Sequence, residues 1–334
     1  MGGKLLVSLP VLQAHGEEIK RLLAPRRATA IAVFEDRLEA GGDNADIEAA
    51  FLSTDMMGTN SNPEINLRLG AFLKLVQVAP NLRWLQLCSA GADRPVFREL
   101  MARGVDVTTA SGANAIEVAH TALAAMMAFA REVPLWIDAK QRRQWVPQRD
   151  ELAPADLQAA HAVVVGLGPI GQAIGRLCQA FGMRVTGIRR QAAPTPGCDA
   201  VLTLDQLPAT LREADYLFLA CPLTPETRHL VDDRMLACLP RRARLINVAR
   251  GAVVDEAALD AALRAGTLAG AYSDVFATEP LPQESPLWTA PNFMLSAHSA
   301  GSSTGFPLRT VRMFLDNLDR WARGQPLLHP ALRS

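Results

Sequence analysis

The sequence predicts an α/β protein built from two doubly wound, parallel-sheet domains. Three observations support this prediction. The chain has 334 residues, which is long for one hydrophobic core and sufficient for two. Short apolar runs alternate with helix-like stretches along its length, as they do in βαβ units. Residues 161–190 also have the pattern strand, glycine turn, helix, strand.

Residues 1–110 are predicted to form the first domain. Its helix-like stretches, near residues 15–24, 65–79 and 95–103, end at breakers such as Gly104. The predicted strands are 4–9, 30–34, 50–52, 82–87 and 105–108. The loop 88–93 follows one of these strands directly, at the edge where parallel sheets present free backbone N–H groups to ligands. A plain strand-to-helix turn is the alternative for this loop.

Residues 114–131 form the most clearly predicted helix. Its apolar residues, mainly Ala and Met, spread around several faces, which predicts a helix buried between structural units. We therefore expect it to connect the two domains and to contribute to the contact in a homodimer. His120 on this helix is interpreted as an interior histidine rather than a ligand. The polar residues 132–160 are predicted to be a loop that leads into the second domain.

A glycine-rich turn follows the apolar run 162–165. In the segment Gly166-Leu-Gly168-Pro-Ile-Gly171, the first glycine permits a tight turn and the second allows a pyrophosphate to approach the backbone. The third lets the helix pack closely on the strand, and the phosphates would lie at the helix N-terminus. A glycine turn that binds nothing is the alternative, but the strand–turn–helix–strand setting favours dinucleotide binding.

Two arginines stand at the end of the next predicted strand, 184–188. NAD-binding units usually carry Asp or Glu about 20 residues after the glycine turn, to bind the ribose 2′-OH. Arg189 and Arg190 occupy that place here. Because guanidinium groups offer a fork of donors to phosphate oxygens, they suit a 2′-phosphate. Two solvated surface charges are the alternative.

The remainder of the chain continues the alternation of strands and helices. Further strands are predicted at 216–220, 244–248, 270–275 and 293–295, with helical segments such as Glu256–Arg264 between them. Together with residues 161–190 they form a second, larger doubly wound domain. Residues 304–323 are predicted to be an amphipathic helix, because Phe306, Val311, Phe314, Leu315, Leu318 and Trp321 line one side.

Three strand-end loops of this second domain carry residues suited to the reduction of a carbonyl group. Arg250 could bind a carboxylate bidentately and polarise the neighbouring carbonyl. His298 could donate a proton, and a Glu279 partner would favour its charged form. Each residue also has a plain structural interpretation: a loop cap for Arg250, a turn for Glu279 and a buried inert histidine for His298.

Composition narrows the choice of partner and compartment. Lys+Arg and Asp+Glu both number 34, so no net charge favours nucleic acid or an anionic membrane. The five cysteines lack the spacing of a zinc site or a disulfide framework, and no metal is expected. No apolar run is long enough to span a membrane, and the N-terminus lacks a signal-peptide core. We therefore expect a cytoplasmic protein.

Five ordered segments resemble the D-isomer-specific 2-hydroxyacid dehydrogenase family. They are GLGPIG at 166–171, CPLTPETRHLV at 221–231, INVARGAVVDEAAL at 246–259, DVFATEPL at 274–281 and SAHSAG at 296–301. The resemblance covers about residues 82–320. It implies a Rossmann dinucleotide-binding domain, residues 111–300, inserted in a flavodoxin-like substrate-binding domain formed by residues 1–110 and 301–334.

The resemblance also implies roles for individual residues. Arg250, Glu279 and His298 correspond to the family's catalytic arginine, glutamate and acid/base histidine. The substrate would be bound by Arg250 and His298 and by the loop Ser89-Ala90-Gly91, whose backbone amides hold its carboxylate. The implied cofactor-binding residues are Gly166, Gly168, Pro169, Ile170, Gly171, Arg189, Arg190, Cys221, Pro222, Val248, Ala249, Asp274 and Ala300.

The implied activity is hydride transfer between NAD(P)H and a small 2-oxo acid or D-2-hydroxy acid, as in glyoxylate/hydroxypyruvate reductases. NADP(H) is expected to be preferred because Arg189 replaces the acidic residue common in NAD-using members, and NAD(H) is the alternative cofactor. A dinucleotide-sensing binding protein or corepressor of the same fold is the alternative function.

Overall fold

The fold is described from a computed structural model that covers residues 2–33, 44–57, 63–92, 94–148 and 153–331. The last residue of the predicted strand 30–34, Asp93 of the predicted loop and residues 149–152 lie outside these ranges. The chain forms two compact units: unit 1 is Met1–Ala113 with Ser303–Ser334, and unit 2 is Asn114–Ser302. Their assignment to substrate and dinucleotide remains a prediction.

Strands and helices alternate through the chain. In the described residues they are β1 (Lys4–Ser8), α1 (Leu9–Leu23), β2 (Thr29–Val33), β3 (Ile47–Leu52), α2 (Thr54–Met57), α3 (Pro63–Val78), β4 (Trp84–Leu87), α4 (Pro95–Ala102), β5 (Asp106–Thr108), α5 (Ala115–Ala130), α6 (Val133–Gln141), β6 (His161–Val165), α7 (Pro169–Ala180), β7 (Arg184–Ile188), β8 (Ala200–Leu202), α8 (Leu207–Leu211), β9 (Tyr216–Leu219), α9 (Asp233–Cys238), β10 (Arg244–Asn247), α10 (Glu256–Arg264), β11 (Gly270–Ser273), β12 (Phe293–Leu295) and α11 (Phe306–Ala322).

Unit 1 contains a five-stranded parallel sheet in the order β2-β1-β3-β4-β5. This is the flavodoxin-like order, in agreement with the prediction. Helix α1 begins at Leu9, earlier than the predicted residue 15, because the Ser8 side chain accepts the Val11 amide and Pro10 fits the first turn. The loops after β1, β3 and β4 all leave the carboxyl-end edge of this sheet.

Helix α11 brings the C-terminal segment into unit 1. Its apolar side packs on the sheet, where Phe314 stacks on Phe51 with ring centroids 4.3 Å apart. A buried polar chain joins the same elements: the Asn317 amide donates to Gln86, which also accepts the Thr108 hydroxyl. Both chain ends therefore contribute to one core.

Unit 2 contains a seven-stranded parallel sheet in the order β12-β11-β10-β9-β6-β7-β8. Numbered from β6, its first six strands have the Rossmann order, with one further strand at the edge. The predicted class of two doubly wound parallel-sheet domains is thus confirmed. Strand β8 was absent from the sequence prediction, since it has only three residues and none is fully buried.

Three predictions around the connector helix are corrected. Helix α5 buries most of its apolar residues within unit 2, where it packs on α7 and β10. Its Ala and Met residues are therefore covered mainly by its own unit, while Ile116 on the same helix stays about half exposed. His120 is exposed rather than interior, because it lies on the solvent side of α5. The predicted loop 132–160 contains helix α6, which Pro134 starts in its first turn.

Candidate active site

The glycine turn between β6 and α7 leaves open space where a ligand could approach. Gly166 has φ +92°, and a Cβ there would lie 2.6 Å from the backbone of Cys221. A Cβ at Gly171 would lie 1.8 Å from the Gly166 carbonyl oxygen, so turn and helix are packed as closely as glycine allows. Gly168, by contrast, is exposed, with nothing within 4 Å of its added Cβ. Beside it, exposed Pro169 and half-buried Ile170 begin α7. This cradle fits a dinucleotide pyrophosphate.

Arg189 and Arg190 lie beside this turn, because the Gly166 amide donates to the Ile188 carbonyl at 2.9 Å. Both arginine side chains are exposed. The Arg189 guanidinium donates to the hydroxyl of Thr195 at 3.3 Å. The pKa of Glu226 is lowered mainly by a hydrogen bond from Thr224, and the charge of Arg190 adds to the effect.

The other predicted cofactor contacts divide by exposure. Pro222 is exposed, and its carbonyl accepts the Thr227 hydroxyl at 2.7 Å. Cys221, Val248, Ala249 and Ala300 are buried and expose at most 7% of their surface to a cofactor. Burial raises the pKa of the Cys221 thiol to about 11, which keeps this thiol neutral.

A histidine–carboxylate pair lies on the loops after β11 and β12. The His298 Nδ1 is 2.8 Å from Glu279 Oε2, and Glu279 Oε1 accepts the Phe276 amide at 3.0 Å. The side chains are 47% and 25% exposed, respectively. Nδ1 faces a carboxylate, and Nε2 has no protein partner among the residues that the structure describes. A protonated imidazole in this arrangement would donate to Glu279 through Nδ1 and present its second proton at Nε2.

Arg250 follows β10, the strand next to β11. Asn247 shapes its loop, since the side chain accepts the Ala249 amide and donates to the Arg250 carbonyl. A Cβ at Gly251 would lie 1.8 Å from the carbonyl carbon of Phe276, so only glycine lets the two loops meet. The structure thus brings Arg250 and Glu279 onto adjoining loops. Asn247 and Gly251 were not among the predicted site residues, because their role depends on contact between loops.

Residues 123–300 match the NAD binding domain of the D-isomer specific 2-hydroxyacid dehydrogenases. The match covers more than half of the chain. The chain belongs to this family. It is therefore an oxidoreductase, and its cofactor is a nicotinamide dinucleotide.

Relatives of known name support this placement. The chain is 34% identical over 259 residues to the glyoxylate reductase of Korarchaeum cryptofilum, with 75% of this chain and 76% of the relative covered. It is 31% identical over 255 residues to the D-3-phosphoglycerate dehydrogenase of Methanocaldococcus jannaschii, covering 75% of this chain and 48% of that longer protein.

Solved structures cover the whole chain. A D-isomer specific 2-hydroxyacid dehydrogenase from Xanthobacter autotrophicus Py2, in complex with NADPH and MES, has a TM-score of 0.76 at 29% identity, with 100% and 99% of the chains covered. The NADPH-dependent glyoxylate/hydroxypyruvate reductase from Sinorhizobium meliloti, in complex with NADP and malonate, has a TM-score of 0.71 at 27% identity, with 100% and 98% covered.

In this dehydrogenase, the Asp274 side chain forms hydrogen bonds with the loop that carries His298. Its Oδ1 accepts the amides of Ser299 and Ala300 at 2.8 and 3.0 Å and the hydroxyl of Ser296 at 2.5 Å. The Tyr272 hydroxyl lies 2.6 Å from the Ser296 hydroxyl. Sequence reasoning selected Asp274 but missed Tyr272 and Ser296. The alternation along β11, which puts residues 272 and 274 on one side, was the available signal.

The loop predicted to hold the substrate carboxylate lies in unit 1, after β4. The Ser89 hydroxyl donates to the Gly91 carbonyl at 2.7 Å, and the Ser89 carbonyl accepts the Ala110 amide at 2.9 Å. Within the described ranges, the amides of Ala90 and Gly91 donate to no protein acceptor. Such amides suit a carboxylate ligand. Burial raises the pKa of the adjacent Cys88 thiol to about 12, so this thiol is not a nucleophile at neutral pH.

Two other features are absent from the part of the chain that the structure describes. No group of three or more His, Cys, Asp and Glu side chains is arranged to hold a metal ion there. No described helix combines the length and the apolar character needed to cross a bilayer.

Proposed function

We propose that this dehydrogenase is an NADPH-preferring reductase of small 2-oxo acids, with Arg250, Glu279 and His298 as its catalytic residues. The observation that carries the proposal is the 2.8 Å contact between His298 Nδ1 and Glu279 Oε2, on a half-exposed histidine. A buried, fully bonded histidine would serve structure, whereas this one keeps a nitrogen available for a ligand.

The mechanism follows from the groups present. Bound NADPH would supply the hydride that reduces the carbonyl carbon. His298 would donate the proton from Nε2 to the carbonyl oxygen, while the Glu279 carboxylate stabilises the imidazolium before transfer. The Arg250 guanidinium would bind the substrate carboxylate and polarise the carbonyl. In unit 1, the backbone amides of Ala90 and Gly91 are proposed to bind a substrate carboxylate.

The preference for NADPH rests on Arg189. Its guanidinium stands at the carboxyl end of β7, where NAD-specific units carry an acidic residue. Thr195 offers a neighbouring hydroxyl at 3.3 Å from that guanidinium. Charge and hydrogen-bond donors together suit a 2′-phosphate.

Glyoxylate and hydroxypyruvate are the substrates we propose to test first. The similarity to a glyoxylate reductase over three quarters of both chains supports them, as does the structural similarity to a glyoxylate/hydroxypyruvate reductase. The same similarities favour an enzyme over a dinucleotide-sensing corepressor.

A homodimer in the cytoplasm completes the proposal. Apolar side chains on and beside α5 and α6 support the dimer: Ile116, Trp136 and Ile137 are about half exposed, and Trp145 is 95% exposed. All five cysteines are unpaired, which supports a reducing compartment. Light scattering should give twice the 36.0 kDa mass of one chain, and a monomer at micromolar concentration would contradict the dimer.

The test of the activity is NADPH oxidation with glyoxylate, hydroxypyruvate and phenylpyruvate, each repeated with NADH. We expect turnover of at least one 2-oxo acid and a higher kcat/KM with NADPH. Tight NADPH binding without turnover of any 2-oxo acid would instead favour the sensing protein. A higher kcat/KM with NADH would contradict the assignment of Arg189.

A further inference from the structure

Three hydrogen bonds converge on one oxygen of Asp274, a residue that is 4% exposed. Two come from the backbone of Ser299 and Ala300, and the third comes from Ser296. The carbonyl of Asp274 also accepts the His298 amide at 2.8 Å. One residue therefore binds the His298 loop at three consecutive backbone amides, 298 to 300.

The hydroxyl groups of Tyr272 and Ser296 form a chain of hydrogen bonds to Asp274. Which group donates in each bond follows from the number of protons available. Asp274 as a carboxylate can only accept, so Ser296 must use its single hydroxyl proton on Asp274 Oδ1. The Ser296 oxygen can then only accept from Tyr272, whose hydroxyl is 2.6 Å away. Burial raises the pKa of Tyr272 to about 12, which keeps the phenol protonated as a donor. The chain runs from Tyr272 through Ser296 to Asp274.

The backbone of His298 needs such support. Its φ is +50°, a left-handed conformation that costs a non-glycine residue energy unless its surroundings enforce it. The contacts made by Asp274 hold the histidine amide and the two residues that follow, on both sides of this strained position. A carboxylate that could rotate would release the amides of Ser299 and Ala300, which directly follow the histidine.

We propose that Tyr272 and Ser296 are positioning residues that fix the Asp274 carboxylate and, through it, the backbone of His298. Their effect on turnover rests on the proposed function, in which His298 donates the proton. Their effect on the loop does not, because it is a property of the protein without ligands.

The competing explanation is that Tyr272 only fills the core. Its ring is buried in an apolar cluster that includes Ile246, its partner on β10, and a buried hydroxyl needs some partner. Removing the hydroxyl while keeping the ring separates the two explanations. The chain provides a matched control, since it has two tyrosines and the second, Tyr216, is buried in the same core beside Arg244.

The first experiment compares Tyr272→Phe with Tyr216→Phe. Melting temperatures should fall by similar small amounts, because each variant loses one buried hydroxyl. Only Tyr272→Phe should lower kcat, by about 3- to 10-fold, the rate equivalent of one neutral hydrogen bond. KM for the 2-oxo acid should stay within twofold in both. Equal kcat values in the two variants would overturn the proposal.

The second experiment tests the Ser296 hydroxyl, which lies between Tyr272 and Asp274 in the chain of hydrogen bonds. Ser296→Ala should lower kcat by about 10- to 100-fold, since it removes a donor to a charged group, and Ser296→Thr should restore most of the loss. Should Ser296→Ala prove too unstable to purify, the comparison of Ser296→Thr with Tyr272→Phe still tests the chain. A Ser296→Ala enzyme with wild-type kcat would contradict it.

Hydrogen exchange of the ligand-free protein gives a readout independent of turnover. The amides of Ser299 and Ala300 should exchange at least several-fold faster in Tyr272→Phe and Ser296→Ala than in the wild type or Tyr216→Phe. Unchanged protection would refute the positioning role. Faster exchange in a protein that reduces no 2-oxo acid would instead leave the positioning intact and refute the proposed function.

Discussion

The carboxyl ends and the amino ends of the strands form two opposite sides of the unit 2 sheet, here called the carboxyl-end edge and the amino-end edge. They carry the same types of residue in two very different arrangements. At the carboxyl-end edge, His298 contacts Glu279, with Arg250 on the adjoining loop. At the amino-end edge, His161 begins β6 and Arg184 begins β7, and Arg184 pairs with Glu213 at 3.0 Å. A histidine, a glutamate and an arginine occur at both.

The difference lies in how the histidine nitrogens are used. His161 is 3% exposed, and its ring nitrogens lie 3.3 Å from the Glu213 carbonyl and 2.9 Å from the Thr186 hydroxyl. The side chain of His298 is 47% exposed and uses one nitrogen on Glu279. The first arrangement leaves no atom for a substrate, so residue types alone do not identify an active site.

Strand direction explains why the carboxyl-end edge is suited to ligands. Helix α7 starts there, so its free N–H groups and its positive dipole end lie beside the open space at Gly168. The amino-end edge instead meets helix C-termini, with ion pairs such as Arg242–Asp215 at its surface. Three matched pairs of substitutions, one at each edge, test this contrast.

The largest effect is expected for the two histidines. His298→Gln should lower kcat by about 10²- to 10⁴-fold, the usual contribution of a general acid, with NADPH binding preserved. His161→Gln should leave kcat within twofold and reduce the free energy of unfolding by about 1–3 kcal/mol, because two buried contacts are disturbed. Steady-state kinetics and urea unfolding measure both. Similar losses of kcat in the two variants would remove the functional contrast.

The next effect concerns the arginines at the two ends of β7. Arg189→Ser should raise the Kd for NADPH by about 10- to 150-fold, the value of a charge-assisted contact, and leave that for NADH nearly unchanged. Arg184→Ser should change neither Kd by more than twofold, since its guanidinium is paired with Glu213 at the opposite edge. Quenching of tryptophan fluorescence measures the binding. If the ratio of the Kd for NADPH to the Kd for NADH is the same in the two variants, Arg189 is excluded from the 2′-phosphate site.

A smaller effect is expected for the glutamates. Glu279→Gln should lower kcat about tenfold, because His298 loses its charged hydrogen-bond partner at Nδ1. Glu213→Gln should leave kcat within twofold, because this carboxylate pairs with Arg184 at the opposite edge. Steady-state kinetics of the two variants measures the contrast, and equal kcat values would exclude Glu279 as the functional partner of His298.

The parts of the site that could be predicted from sequence are those whose residues lie close together in one continuous stretch of the chain. The glycine turn at 166–171 and Arg189 lie in one continuous βαβ stretch, so their spacing alone placed them together. The contact between Tyr272 and Ser296 joins strands 24 residues apart and depends on the parallel register of β11 and β12. Helix α6 was missed because Trp136 and Ile137 stay about half exposed, which leaves no buried stripe to recognise.

The smallest predicted effect is the response of His161 to acid. Burial, assisted by the charge of Arg184, lowers the pKa of His161 below its ordinary value of 6.5. The unfolded chain therefore binds this proton more readily than the folded chain. The stability that the neutral histidine contributes is fully present above pH 6.5 and is lost as the pH falls toward the lowered value.

Urea unfolding of the wild type and of His161→Gln at pH 8 and pH 5.5 measures this contribution of His161 to the free energy of unfolding. One proton contributes at most about 1.4 kcal/mol per pH unit, so the wild type should lose up to about 1 kcal/mol more than the variant over this interval. His298→Gln should lose as much stability as the wild type, because His161 is intact there. If His161→Gln and the wild type lose the same stability, His161 binds its proton equally well in the folded and the unfolded chain. Burial at the amino-end edge would then not oppose the protonation of His161.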